Sequence, residues 1–312
     1  MRSARARRLT IGSRIGADLT VLGIVDDGGR DSVYIVWHHR AWCPMACKVF
    51  GLPRQARREA RVLAALDHPN IVRLLGVGKP AHLLMEFLEG PSLGGLIRSR
   101  RRRRLSVSDA ARVGIHIGAA LTHMHERGFL HLDIKPSNII VAHGRPVVFD
   151  FGIARLRTRR PLGYVVGTGP YMAPEQCRGE AVRPATDVFG FGATLYEALT
   201  GRLPFPNGDR RNPFPQTVSA PIPLRRCAPH VPAALEHLVM ACLSRRPEER
   251  PASPADLLPA LHEFIRAGPP MWPPGFRPSV ARIGDGRARP RGSSREETTE
   301  GAGASPALAY GR

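Results

Sequence analysis

HLDIKPSN, residues 131–138, puts Asp133, Lys135 and Asn138 within six positions, with Pro136 between them. A proline there removes a backbone donor and forbids a regular helix, so three hydrogen-bonding side chains share a stiff loop. Outward from it run "IIVA", the turn "HGR", "PVVF" and then Asp150-Phe151-Gly152. Two short apolar runs around a glycine turn read as an antiparallel hairpin, in which the start of one strand lies beside the end of the other. Asn138 and Asp150 are therefore expected side by side at one end. An amide oxygen and a carboxylate suit a hard cation such as Mg²⁺, which takes few protein oxygens and completes its shell with phosphates. Asp133 lies on the same loop, fit to accept a proton near a metal-bound phosphate, and Lys135 points a cation into that space. Positioning, charge neutralisation and a group that orients a nucleophile are what phosphoryl transfer requires.

The chain has 312 residues, 43% of them apolar, which bounds it to about two compact units with a real core. No apolar run is long enough to span a bilayer, and the basic N-terminus "MRSARARRLT" lacks the apolar segment of a secretory signal. The formal charge of +20 favours acidic partners such as nucleic acid, anionic lipid or nucleotide phosphates, although an arginine-rich coding bias would produce the same balance. The chain holds only three lysines, Lys48, Lys79 and Lys135, against 43 arginines. Where lysine persists, a compact ammonium rather than a planar guanidinium is expected to matter. Five scattered cysteines, at 43, 47, 177, 227 and 242, form no dense disulfide framework and fit a reducing cytoplasm.

Along the chain, residues 1–14 read as a flexible basic arm. "DLTVLGIV", "SVYIVWHH" and "PMACKVF" read as short strands, with "DDGGRD" as a turn between the first two. "RQARREARVLAALD" reads as a helix with the stripe Ala56, Ala60, Val62, Leu63 and Leu66, and "NIVRLLGVG" and "HLLMEFLE" return to strand character. This gives a first unit over 15–88. From 89 to 267 the pattern is mainly helical. "SVSDAARVGIHIGAALTHMHERG" is expected to be capped by Ser108 and to close at Gly128, and "TDVFGFGATLYEALTG" to stop at Gly201. "PAALEHLVMACLS" and "SPADLLPALHEFIRAG" follow as further helices. Residues 268–312, rich in Pro, Gly, Ser and charge, read as disordered. No internal repeat is evident.

With these motifs assembled, residues 18–267 resemble the eukaryotic-type protein kinase family, specifically the serine/threonine kinases of bacteria. "HLDIKPSN" resembles the catalytic loop, Asp150-Phe151-Gly152 the metal-binding motif, "GTGPYMAPEQ" (167–176) the end of the activation segment, and "MACKVF" the lysine strand. Four motifs in order are far more specific than any one. The resemblance implies an α+β fold of two lobes, a small β-rich N-lobe with one helix and a larger, mainly helical C-lobe. It makes Asp133 the catalytic base, Lys135 a contact to the transferred phosphate, and Asn138 and Asp150 the magnesium ligands. Lys48 would hold the α- and β-phosphates of ATP, paired with Glu59. Strand alternation puts Ala46 and Lys48 on one face and Cys47 on the other. Met85 would be the gatekeeper, with Glu86 and Leu88 offering backbone groups to adenine and Gly28, Gly29, Val33, Ala46 and Ile140 around the nucleotide. Glu175 is expected to pair with Arg250, Asp187 to anchor the catalytic-loop backbone, and Thr168 to lie near Asp133 and Lys135.

Two departures stand out. Leu132 replaces the arginine that in the family reads an activation-segment phosphate, and leucine cannot do so, so switching by that route is not expected. The segment offers Thr158, Tyr164 and Thr168 as hydroxyls, and a phosphate on Thr158 would have Arg155, Arg157, Arg159 or Arg160 nearby. In the glycine-rich loop, the places counted back from Val33 hold Asp26, Gly28 and Asp31, so one family glycine of three remains. Lost glycines and two carboxylates near a triphosphate predict weakened ATP binding.

"RSRRRRR" (98–104) would fall on a loop as a solvated linker, or dock acidic partners. His38, His39, Cys43 and Cys47 offer one C-x₃-C pair where a structural zinc site needs two, and read better as a strand connection with buried thiols. "HMH" (123–125), Met240 and Cys242 read as structural. The commitment is a Mg²⁺- and ATP-dependent serine/threonine kinase of the cytoplasm acting on protein substrates, with autophosphorylation, Ser293, Ser294, Thr298 and Thr299 included. No membrane association and no nucleic acid are expected. The alternatives are a pseudokinase scaffold that binds nucleotide weakly and an arginine-rich nucleic-acid-associated protein.

Overall fold

The computed structural model describes residues 8–26, 31–158 and 160–265, all in one compact unit. The tail 268–312, with Ser293, Ser294, Thr298 and Thr299, lies outside the described residues, as do residues 1–7, Gly28, Gly29 and Arg159. Of the expected basic arm, residues 8–14 are described, among them Leu9. It packs beside the sheet and donates its N–H to the Tyr34 hydroxyl at 3.1 Å.

Strands β1 (Arg14–Ile15), β2 (Leu19–Asp26), β3 (Asp31–His38) and β4 (Cys43–Phe50) precede helix α1 (Pro53–Ala64), and β5 (Leu74–Gly78) and β6 (His82–Glu86) follow it. Together they form an antiparallel sheet ordered β1-β2-β3-β4-β6-β5. Alternation along β3 and β4 sends Tyr34, Val36, Met45, Cys47 and Val49 into one apolar cluster with Leu19 and Val21. Lys48 is left on the opposite face, flanked in register by Val33 and Leu83. In α1, which Pro53 opens, Ala56, Glu59, Val62 and Leu63 are buried. Spacings of three and four put Glu59 in the apolar stripe, so the helix must deliver a carboxylate to the sheet.

The rest is mainly helical. It comprises α2 (Leu93–Ser99), α3 (Val107–Glu126), β7 (Phe129–Leu130), the hairpin β8 (Ile139–Ala142) and β9 (Arg145–Val148), and β10 (Arg155–Leu156). Then come α4 (Pro174–Cys177), α5 (Pro184–Thr200), α6 (Leu224–Cys227), α7 (Ala233–Cys242) and α8 (Leu258–His262). Helix α5 is buried along nearly its whole length and forms the centre of this lobe. Gly190 gives the catalytic loop room: a methyl there would come within 3.1 Å of the Ile134 carbonyl. Gly201, at φ +71, ends α5 as expected.

Several expectations are corrected. Helix α3 is capped by Ser106, not Ser108: Ser106 is extended and accepts the Asp109 N–H at 3.0 Å, whereas Ser108 is already inside the first turn. Arg98 and Ser99 belong to α2, a short helix that begins at the Ser92 cap, so only residues 100–104 of the arginine run lie on a loop. "SPADLLPALHEFIRAG" is not one helix but a 3₁₀ turn over Pro254–Leu257 followed by α8, because Pro259 cannot donate back across the junction. The five cysteines are free thiols.

Candidate active site

The catalytic loop is held from beneath by one buried carboxylate. Asp187, at the start of α5, accepts the backbone N–H groups of Leu132 (2.7 Å) and His131 (2.9 Å), and its Oδ2 lies 2.8 Å from His125 Nε2. Burial works against its charge. The hydrogen bond and charge of His125 outweigh that and hold the carboxyl below its usual range. Leu132 has φ +66. That left-handed geometry costs an L-residue roughly 1–2 kcal/mol, and both of its backbone polar groups are pinned by buried side chains: its N–H by Asp187 and its carbonyl by Gln176 at 2.8 Å.

Three partners gather on Asp133. Thr168 donates to Oδ1 at 2.7 Å, while Asn138 Nδ2 (2.9 Å) and Lys135 Nζ (2.8 Å) meet Oδ2. Lys135 also reaches Thr168 Oγ1 at 2.5 Å. A carboxylate offers about four lone-pair positions, so one remains for an incoming hydroxyl. The second Asn138 contact, from Nδ2 to the Asp133 carbonyl at 2.9 Å, fixes which way the amide faces: an oxygen there would oppose two acceptors. Its Oδ1 is thereby left for other partners. The hairpin pairs Ile139 with Val148, and Phe149 N–H donates to the Asn138 carbonyl at 3.0 Å, which brings Asn138 beside Asp150. His143 and Gly144, both at positive φ, make the tight turn at its far end.

Across the cleft, Lys48 Nζ lies 2.9 and 3.0 Å from the Glu59 carboxylate oxygens and 2.8 Å from Asp150 Oδ1. Burial disfavours the ammonium, and the two carboxylates more than offset it, so the Lys48 pKa rises. Burial likewise pushes Asp150 up, but Lys48 prevails and holds that carboxyl below its ordinary value. An ionised carboxylate and a free amide oxygen are the hard donors a Mg²⁺ ion accepts; among the described residues the donor set fits that ion.

Ala46 pairs in register with Met85, and Val33 with Lys48, so these side chains share one face of the sheet. Met85 is buried; Leu88 and Ile140 are half-buried. The Glu86 N–H is committed to the Arg73 carbonyl at 3.0 Å and its side chain to the Arg73 N–H at 2.9 Å. Asp31 Oδ1 accepts the Gly51 N–H at 3.2 Å. Glu175 and Arg250 form a buried bidentate pair at 2.8 and 3.0 Å. Arg155 is engaged with Tyr164, 2.5 Å from its hydroxyl. Two buried glutamines had no sequence signal. Gln176 binds the carbonyls of Leu132 and Val166, and Gln216 those of Gly169 and Met172.

A family model described as "Protein kinase domain" matches residues 19–261. The serine/threonine-protein kinase Pkn2 of Myxococcus xanthus is 33% identical over 92% of this chain, and PrkC of Bacillus subtilis 30% identical over 80%. The matches cover 39% and 41% of those two proteins, so the chain spans about two-fifths of the relatives it resembles. PknA of Mycobacterium tuberculosis is 33% identical over 74% of the chain, a match covering 56% of that protein. The crystal structure of the Mycobacterium tuberculosis PknI kinase domain superposes with a TM-score of 0.64 at 23% identity, over 83% of this chain and 99% of that one.

Proposed function

The chain belongs to the protein kinase domain family, and from that premise we propose that it transfers the γ-phosphoryl group of ATP to serine or threonine hydroxyls of proteins, itself included. The observation that carries this reading is the convergence of Asp133, Lys135, Asn138 and Thr168 within hydrogen-bonding distance, facing the Lys48–Asp150 pair. In this reading Asp133 orients the substrate hydroxyl and accepts its hydrogen. Lys135 and Thr168 fix that carboxylate, and Lys135 offers positive charge to the phosphoryl group in transit. Lys48, kept cationic by Glu59, holds the phosphates. Asn138 Oδ1 and Asp150 would hold Mg²⁺, which when bound neutralises and orients those phosphates. Adenine would lie against Val33, Ala46 and Ile140, taking backbone hydrogen bonds from the stretch Glu86–Leu88. Gly28 and Gly29, expected near the nucleotide, lie outside the described residues.

Serine/threonine preference is supported by Lys135, two residues after the base and bonded to Thr168. Five free thiols and no disulfide among them favour a reducing cytoplasm. Among the described residues no helix is long and apolar enough to cross a membrane.

The test is intact mass after incubation of the full chain with ATP and Mg²⁺, beside Asp133→Asn. Mass rising in steps of about 80 Da, one phosphoryl group each, in the wild type alone is the expected result. No gain in either protein, with nucleotide still raising the melting temperature, would replace phosphotransfer with a nucleotide-binding scaffold.

A further inference from the structure

Thr168 stays beside Asp133 only if the segment that carries it is seated on the catalytic loop. A phosphate bound by the residue before the base cannot do this here, since Leu132 stands there, 3% exposed. Its side chain lies instead in a separate apolar cluster with Leu130, Leu162 and Val182, bordered by Ile153 and Val166. Leu162 and Val166 come from the segment itself, and Val182 from the approach to α5. The place that would otherwise face an anion is filled with hydrocarbon.

One polar fastening of the segment is also uncharged. Gln176, 2% exposed, donates from Nε2 to the Leu132 carbonyl at 2.8 Å and to the Val166 carbonyl at 3.0 Å, using both hydrogens of its amide. Its Oε1 accepts the Ala173 N–H at 3.1 Å, which fixes the orientation of the amide. Gly167, at φ +127, leaves room for it: a methyl there would lie 3.1 Å from Gln176 Nε2 and 2.7 Å from Met172 Cγ. At the other end of the stretch Gln216, equally buried, donates to Gly169 (2.7 Å) and Met172 (3.0 Å). Thr168 therefore sits between two amide clamps.

We propose that Gln176 is a positioning residue: by bridging the carbonyls of Leu132 and Val166 it sets Thr168 and Lys135 against Asp133. Together with the Leu132 cluster it keeps the segment seated with no phosphate on it. The inference rests on the phosphotransfer reading of Asp133 for its kinetic consequence, but not for its structural one. A neutral clamp depends neither on modification nor on ionic strength, whereas a phosphate–guanidinium latch depends on both.

The experiment uses the full chain as wild type, Gln176→Leu and Leu162→Ala, with two readouts. In hydrogen exchange, amides of residues 160–172 are expected to exchange at least ten-fold faster in Gln176→Leu while α3 and α5 keep their protection. In peptide phosphorylation, kcat is expected to fall at least ten-fold with KM for ATP within two-fold of the wild type, and phosphatase-treated wild type to keep its activity within two-fold. Leu162→Ala, which loosens the same seat from its apolar side, is expected to move both readouts in the same direction and serves if Gln176→Leu does not fold. Unchanged exchange would overturn the clamp. Lower stability with unchanged kcat would reduce Gln176 to a structural residue, and loss of wild-type activity on dephosphorylation would overturn the independence from phosphate. A wild type no more active than Asp133→Asn would sink the phosphotransfer reading, while the exchange data would still judge the clamp.

Discussion

Asp31 carries a carboxylate at a position where the family places a glycine. It is anchored to the Gly51 N–H, and its charge reaches Glu59, where it adds to the upward pressure that burial already puts on that carboxyl. The same charge would repel nucleotide phosphates held by Lys48. A half-exposed unit charge at contact range is worth about 1 kcal/mol in a watery setting. Asp31→Asn is therefore expected to lower KM for ATP about five-fold at low salt, with a smaller effect at high salt. Measuring KM at two ionic strengths checks this, and an unchanged value would mean that the Gly51 contact turns the carboxylate away from the phosphates. Among single residues, legibility in the sequence was uneven. Asp133, Lys135 and Asn138 lie close in the chain on a loop stiffened by Pro136, so their proximity could be read locally. Gln176 could not be read, because nothing in "APEQC" says that its amide will be shut away from water against Leu132, 44 positions earlier.

Helix α5 shows how glycines set the spacing between elements. A methyl on Gly192 would come within 2.5 Å of Cys242 Cβ and 3.4 Å of the Val239 carbonyl, both on α7. Alanine offers up to about 1 kcal/mol of better helix propensity, but forcing two packed helices apart costs about 1–3 kcal/mol. The packing penalty is expected to win: Gly192→Ala should be destabilised by about 1 kcal/mol, seen as a lower denaturant midpoint at unchanged slope. A midpoint equal to or above the wild type would show that α7 shifts freely. Element boundaries were legible where the chain itself supplies the stop, as at Gly201 for α5 and at the His143–Gly144 turn of the β8–β9 hairpin. They were missed where two serines compete for one cap, as at Ser106 and Ser108, or where glycines hide a short helix, as in α2.

Across the whole molecule, histidines whose pKa is lowered on folding link stability to acidity. Burial lowers the pKa of His131, and partial desolvation beside arginine or histidine neighbours lowers that of His68, His116, His123 and His230; His131 is fully enclosed, facing Asp187, Asp133 and Asp150, which pull the other way without prevailing. A histidine with a lowered folded-state pKa binds its proton more readily when unfolded. Stability is therefore complete above the ordinary value of 6.5 and falls as pH drops below it. Denaturation between pH 8 and 5 (about the histidine range) is expected to show this decline, and His131→Phe to flatten it even if the variant is less stable throughout. An equally steep decline in that variant would place the linkage on the other four histidines. The sequence by itself determined most of the elements and the loop chemistry: the alternation that sets Lys48 opposite Cys47, the apolar stripe of α1, and the hairpin that brings Asn138 to Asp150. Those are local facts, written in periodicities of two and of three to four residues and in turn residues. Only the tertiary structure decided that β7 pairs with β10, that Leu132 joins Leu162 and Val182, and that Gln176 and Gln216 hold the segment bearing Thr168. The burial of a polar amide and the partner of a two-residue strand depend on what distant segments bring to the same place, and no local pattern in the chain encodes that.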